Sequence, residues 1–170
     1  MKSSVDKEIL LNILKTSENI DLFSTLDEYW RDDNDIVKEA LKINPLMYEH
    51  ISERLKLDRD LALSTIKADI NTHRMIAKRF RRNKEFLIDA VTENGKLFAN
   101  IHKSFLGVKE IAYFALKHDP SVVKHFSYNL KKEIGKNDPF QFLQSYMLNK
   151  ELNAEIPLVE QINSSKKLKI

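Results

Sequence analysis

An all-α fold, a right-handed α-solenoid built from two-helix repeats of about 25 residues, is predicted by three observations. The windows Asp35–Leu41, Asp60–Ile66, Glu85–Val91 and Glu110–Leu116 start 25 residues apart, and each holds apolar residues at i, i+1, i+4 and i+5, which is one face of a helix. Asn44, Asp69, Asn94 and Asp119 recur at the same interval and suit the end of one helix and the cap of the next. A second stripe with helical spacing follows each of them: Met47, Tyr48, Ile51, Leu55, then Thr72, His73, Ile76, Phe80, then Leu97, Phe98, Ile101, Phe105, then Val122, Val123, Phe126, Leu130.

Taken in order along the chain, residues 6–32 are a degenerate first copy. Glu8–Leu14 matches the first helix at an offset of 27, and Leu22, Phe23 and Leu26 match the second at 25, which a two-residue insertion between the helices reconciles. Full copies span 33–57, 58–82, 83–107 and 108–132. In each, an acid in the first turn complements the helix dipole. A small residue at 40, 65, 90 or 115 admits a neighbouring helix. Pro45 and Pro120 stand where Pro fits a first helical position, and Gly95 takes that place in a third copy. Each of the two helices per copy is expected to run about nine to eleven residues, too short to be stable alone in water. Asp138-Pro139 opens a terminal helix over 138–154 that closes the array. Residues 156–170, with Pro157, Ser164, Ser165 and three Lys, read as a loose tail. Residues 1–155 thus form one helical-repeat domain.

The motifs of 58–67, Asp-Arg-Asp-Leu-Ala-Leu followed by Ile-Lys, and of 84–99, Lys-Glu-Phe-Leu-Ile-Asp-Ala-Val-Thr-Glu-Asn-Gly-Lys-Leu-Phe-Ala, resemble the bacterial domain of unknown function numbered forty-one sixteen. The resemblance covers roughly residues 33 to 131 and, more weakly, 6 to 32, and is closest at 84–99. Pro45 and Pro120 in place of Gly, Thr65 in place of Ala, and Ile70 after Asp69 depart from the pattern. The resemblance implies a helical repeat and supplies no functional residues. Such repeats occur in bacteria that live with host cells, so it is compatible with a host-directed effector.

Composition removes several kinds of chemistry. With no Cys among 170 residues, disulfides, thiolate metal sites, Fe–S clusters and Cys nucleophiles are excluded. The three Gly, at 95, 107 and 135, are too far apart for a phosphate-cradling loop. The opening Met-Lys-Ser-Ser-Val-Asp-Lys-Glu lacks the apolar run of a signal peptide, and no stretch approaches the ~20 apolar residues of a membrane span. A cytoplasmic protein with no membrane partner is expected, although a dedicated secretion machine reading other signals is compatible with the same residues.

The polar residues offer no catalytic constellation. His73 aligns with Tyr48, Phe98 and Val123 and reads as a core histidine. His50 and His125 sit three repeats apart, and no HExxH pair exists. Asp32, Asp33 and Asp35 lack the Gly and late Glu of a calcium loop and read as acids at a helix start. Glu49 and Glu53 lie beside Arg54 and Lys56 on a solvated face. Neither an enzyme nor a cofactor is therefore expected.

Charge distribution is more informative. Residues 1–40 hold 5 Lys+Arg against 10 Asp+Glu, whereas 61–84 hold seven cations against Asp69 alone. Arg74, Lys78, Arg79, Arg81, Arg82 and Lys84 place six cations within eleven residues, more than helix capping requires. A basic patch of this kind binds an acidic partner or phosphate backbones. Trp30, the single Trp, either plugs the N-terminal end of the array or serves as an interface anchor. The expected function is a non-enzymatic binding module that recognises a protein partner, as an effector or a toxin-neutralising protein does, through an elongated surface carrying this patch and Trp30. The alternative is nucleic-acid phosphate-backbone binding by the same patch, without the aromatic interleaving of a single-strand platform.

Overall fold

The computed structural model describes residues 4–17 and 20–167. Its elements are all helical, and there is no strand among the described residues. The first copy consists of α1 (Ser4–Ser17), α2 (Ile20–Thr25) and α3 (Glu28–Arg31). Four long helices follow: α4 (Asn34–Ile43), α6 (Arg59–Ala68), α8 (Lys84–Glu93) and α9 (Lys109–His118), each beginning 25 residues after the last. Their buried residues are the pairs at 36/37 and 40/41, 61/62 and 65/66, 86/87 and 90/91, and 111/112 and 115/116, with Glu110 buried beside the last set.

The second expected helix of each copy is not one helix. A 3₁₀ segment (Pro45–His50, Ile70–Arg74, Gly95–Asn100 or Pro120–His125) is followed by an extended break. A separate short element then completes the copy: α5 (Glu53–Lys56), α7 (Lys78–Arg81), the 3₁₀ turn Lys103–Phe105, or α10 (Tyr128–Ile134). In three copies the cause is a third capping column at 52, 102 and 127, whereas Ala77 at the same position makes no side-chain cap. Ser52 accepts from the Leu55 N–H at 3.2 Å, the Nδ1 of His102 from the Ser104 N–H at 3.3 Å, and Ser127 from the Leu130 N–H at 3.3 Å. A capped restart satisfies orphan donors that a continuous helix would bond internally.

The other two columns behave as the residues dictate. Asp33, Asp58 and Asn83 cap the long helices with their side chains. Asn44, Asp69, Asn94 and Asp119 end those helices by donating to the carbonyls of 40, 65, 90 and 115. They then cap the 3₁₀ segments through their side-chain oxygens. At Gly95 a Cβ would lie 2.8 Å from the Ala115 carbonyl oxygen, so a close backbone approach between two copies requires glycine there. Gly135 stops α10 at φ +61° and ψ −122°, a backbone conformation that favours glycine.

Long helices pack on the long helices of adjacent copies, and 3₁₀ segments on adjacent 3₁₀ segments. Ion pairs cross between copies, among them Lys7 with Asp33 at 2.8 Å, Arg54 with Asp32 at 2.9 Å, and Lys67 with Glu93 at 2.5 Å. Most are exposed and contribute little individually. The C-terminal end is closed by α11 (Pro139–Lys167), which packs on α9 through buried Leu143 and a stacked Tyr113–Phe140 pair 5.8 Å apart. This one helix covers the expected terminal segment 138–154 and most of 156–170, the stretch expected to be a loose tail. Of this stretch, 168–170 lie outside the described residues. Pro157, Ser164, Ser165 and the three Lys argue for a loose tail, but the sequence around Pro157 is also rich in Glu, Leu, Gln and Lys, which favour helix.

Glu110 fastens α11 to the array. It is 6% exposed and accepts from Lys84 Nζ at 2.7 Å and from Lys150 Nζ at 2.5 Å. Burial pushes its carboxyl upward, and the two ammonium hydrogen bonds outweigh that and lower it to about 2. The resulting stability is complete above about 4.5 and is lost as pH falls toward about 2. Because both lysines are partly solvated, Glu110→Ala is expected to cost only ~1–2 kcal/mol. Amide exchange over 146–154 should accelerate relative to α8; unchanged exchange there would refute the fastening role.

Candidate functional site

The basic run is divided between structural and available cations. Within 74–82, Phe80 is buried, Arg81 is half-buried, and Arg74, Lys78, Arg79 and Arg82 are exposed. The Nη2 of Arg79 donates to the Leu57 carbonyl at 2.6 Å, and its guanidinium lies 4.6 Å from the Phe80 ring centre. Lys84 is committed to Glu110. Arg74, Lys78 and Arg82 have no hydrogen-bond or ion-pair partner among the described residues. The Nε of Arg81 donates to the Ile76 carbonyl at 2.8 Å, which fixes the side chain and leaves its two Nη groups open.

These four available cations converge. Arg74, Lys78, Arg81 and Arg82 line a cavity of about 450 Å³. His73 and, from the next copy, Asn100 and His102 complete its wall. No carboxylate lines it. Nδ1 of His102 lies 3.3 Å from the Ser104 backbone nitrogen and 2.8 Å from the Ser104 hydroxyl, so Nε2 is the ring nitrogen left for the cavity.

A backbone bond closes two of the four junctions between copies. The Ser52 N–H donates to the Arg31 carbonyl at 2.9 Å, and the Ser127 N–H to the Leu106 carbonyl at 3.0 Å. Arg81 and His102 hold the corresponding positions and no such bond joins them, as none joins Lys56 and Ala77, where the Lys56 carbonyl accepts from the Tyr48 hydroxyl instead. Arg31 is also the repeat counterpart of Arg81. Its Nε donates to Leu26 as that of Arg81 does to Ile76, but its Nη1 is consumed by the His50 carbonyl at 3.2 Å. Asn100 stands where His50 does, and the Nη groups of Arg81 make no bond to it.

His73 is 5% exposed, and neither ring nitrogen has a hydrogen-bond partner. Desolvation, with the nearby positive charges of Arg81 and Arg74, lowers its pKa to about 4, so the ring is neutral at pH 7. Its counterparts avoid the problem: the Tyr48 hydroxyl donates to the Lys56 carbonyl at 3.1 Å, and Phe98 has no polar atom.

Of the residues expected from the sequence, Arg74, Lys78, Arg81 and Arg82 are brought together, and Arg79 and Lys84 are drawn off into structural bonds. Trp30 is corrected as an interface anchor: it is 8% exposed, in the core, with its ring edge-on to Tyr29 at 4.9 Å. His73, Asn100 and His102 were missed as wall residues. Their signal was positional, a histidine in an aromatic column and another in the third capping column. A second cavity, of about 500 Å³ between α4 and α6, mixes Lys38 and Lys42 with Asp58 and Asp60 around Leu41 and Leu61, so it has no such bias of charge.

Among the described residues no group of three or more His, Asp or Glu is arranged to hold a metal, and no helix is long and apolar enough to cross a membrane. No curated protein and no solved structure matches the chain. The family model described as Domain of unknown function (DUF4116) matches residues 6–56 and 33–73. That match lies over the N-terminal copies rather than over 84–99, where the motifs resemble the family most closely, and it covers less than half of the chain.

Proposed function

We propose that this chain is a non-enzymatic binding module whose copies stack as a right-handed α-solenoid and that it recognises an acidic surface on a partner protein. The observation that carries this reading is the carboxylate-free cavity in which Arg74, Lys78, Arg81 and Arg82 converge without intramolecular anions. Unpaired cations held close together repel one another and destabilise the fold. An external anion relieves that repulsion and gains charge-assisted hydrogen bonds. The row-on-row packing of equivalent elements supports an extended surface of the kind repeat proteins use to grip partners.

The test is capture of partners by the wild-type chain and by Arg74→Glu combined with Arg82→Glu. Both side chains are exposed and unpartnered, so the fold is expected to survive, with melting temperature unchanged within a few degrees. Specific capture is expected to be lost. Identical capture by both chains would remove the reading. A titration with generic duplex at two salt concentrations addresses the other source of anions. Tight binding that falls steeply with salt would replace the protein partner by a nucleic-acid backbone.

A further inference from the structure

The geometry points to a binding site for a phosphoryl dianion, a phosphate carried on one ester bond or free, in the cavity between Arg74–Arg82 and Asn100–His102. This deepens the binding-module reading and rests on it only for the biological source of the group. Four cations with no carboxylate among the lining residues would remain mostly uncompensated by a single carboxylate ligand. A phosphate monoester brings nearly two negative charges and three strong acceptor oxygens. The planar forks of arginine match those oxygens two at a time. Arg81 is already oriented by its bond to Ile76 and has both Nη groups open. The Asn100 amide and the Nε2 edge of the His102 ring add polar groups from the next copy to the lining.

An independent observation comes from the cavity wall. A buried imidazole with two unpartnered nitrogens sits in a column that elsewhere holds Tyr48, Phe98 and Val123. Unsatisfied buried polar atoms are rare because they destabilise a fold with no structural return. His73 lies in the wall of the cavity whose lining is cationic.

The charge is local rather than drawn out along the array. One copy earlier, the positions of Arg74 and Lys78 hold Glu49 and Glu53; one copy later, they hold Ala99 and Lys103. A diester backbone needs a track of cations, whereas a concave pocket of about 450 Å³ suits a compact group.

The experiment is calorimetric titration of the full chain with inorganic phosphate, a phosphoserine peptide and its unphosphorylated form, and a DNA duplex as competitor. Saturable binding of phosphate or of the phosphopeptide is expected, with none for the unphosphorylated peptide. Arg74→Ala with Arg82→Ala should weaken binding at least about tenfold. Arg79→Ala, outside the cavity, should leave it within about twofold. A phosphopeptide preferred over free phosphate assigns the group to a modified protein; equal or better binding of free phosphate assigns it to a small molecule. Absence of saturable binding by either up to about 10 mM, an equal loss in Arg79→Ala, or displacement by duplex at equal phosphate concentration would overturn the site. Charge reversal that abolishes partner capture in a chain that binds no phosphate would overturn this inference alone.

Discussion

Phe98→Ala is expected to lower the stability of the chain by ~3–5 kcal/mol, the range for truncating a fully buried phenylalanine. The ring is 0% exposed and meets Phe126 of the next copy edge-to-face at 5.6 Å. It belongs to the 3₁₀ segment Gly95–Asn100, whose backbone bonds are poorer than those of an α-helix, so side-chain packing holds it in place. Urea unfolding followed by circular dichroism measures the loss. Tyr128→Ala, at a ring 78% exposed in the same region, should stay within about 0.5 kcal/mol of wild type. Combining Phe98→Ala with Phe126→Ala should reveal a coupling of ~0.5–1.5 kcal/mol. A loss below ~1 kcal/mol for Phe98→Ala would contradict its burial between copies. Because Asn100 and His102 follow Phe98 directly, loosening this segment also disperses one wall of the cationic cavity.

The long helices were legible because their signal is redundant. Apolar pairs, a small residue, a first-turn acid and the capping column Asn44, Asp69, Asn94 and Asp119 agree at each copy, and only an α-helix satisfies them together. The second half of each copy was not, because Met47, Tyr48, Ile51 and Leu55 have a spacing that a continuous helix shares with a 3₁₀ segment, a break and a short turn. Ser52 and Ser127 marked the break, but Ala77 and His102 diluted that column. In the site, the cationic cluster was visible as composition. Which cations were free was not: Arg79 bonds a carbonyl 22 residues away and Lys84 a carboxylate 26 residues away, contacts that exist only once the copies pack. The unbonded junction between Arg81 and His102 is likewise a tertiary feature. His73 was placed in the core by its column, as the structure has it; its lack of partners depends on what surrounds it.

Acid is expected to destabilise the chain first through His73. In the unfolded chain this ring titrates near 6.5, and in the folded chain at about 4, because burial and the charges of Arg81 and Arg74 oppose its protonation. Between those values the unfolded state holds a proton that the folded state refuses, so stability falls as pH drops from about 6.5 to about 4 and levels below that. The gap corresponds to ~3 kcal/mol. Glu110 adds its own loss in the lower window, from about 4.5 to about 2. His73→Leu separates the two. Removing two unpartnered buried nitrogens should raise stability at pH 7 by ~1–3 kcal/mol, and the slope between pH 6.5 and 4 should disappear from the urea midpoints while the Glu110 slope remains. A variant that keeps the wild-type slope in that window would show that another group titrates there. If instead the variant is less stable than wild type at pH 7, the ring has a partner in solution, and the idea that the array tolerates it for the sake of an anion loses its basis.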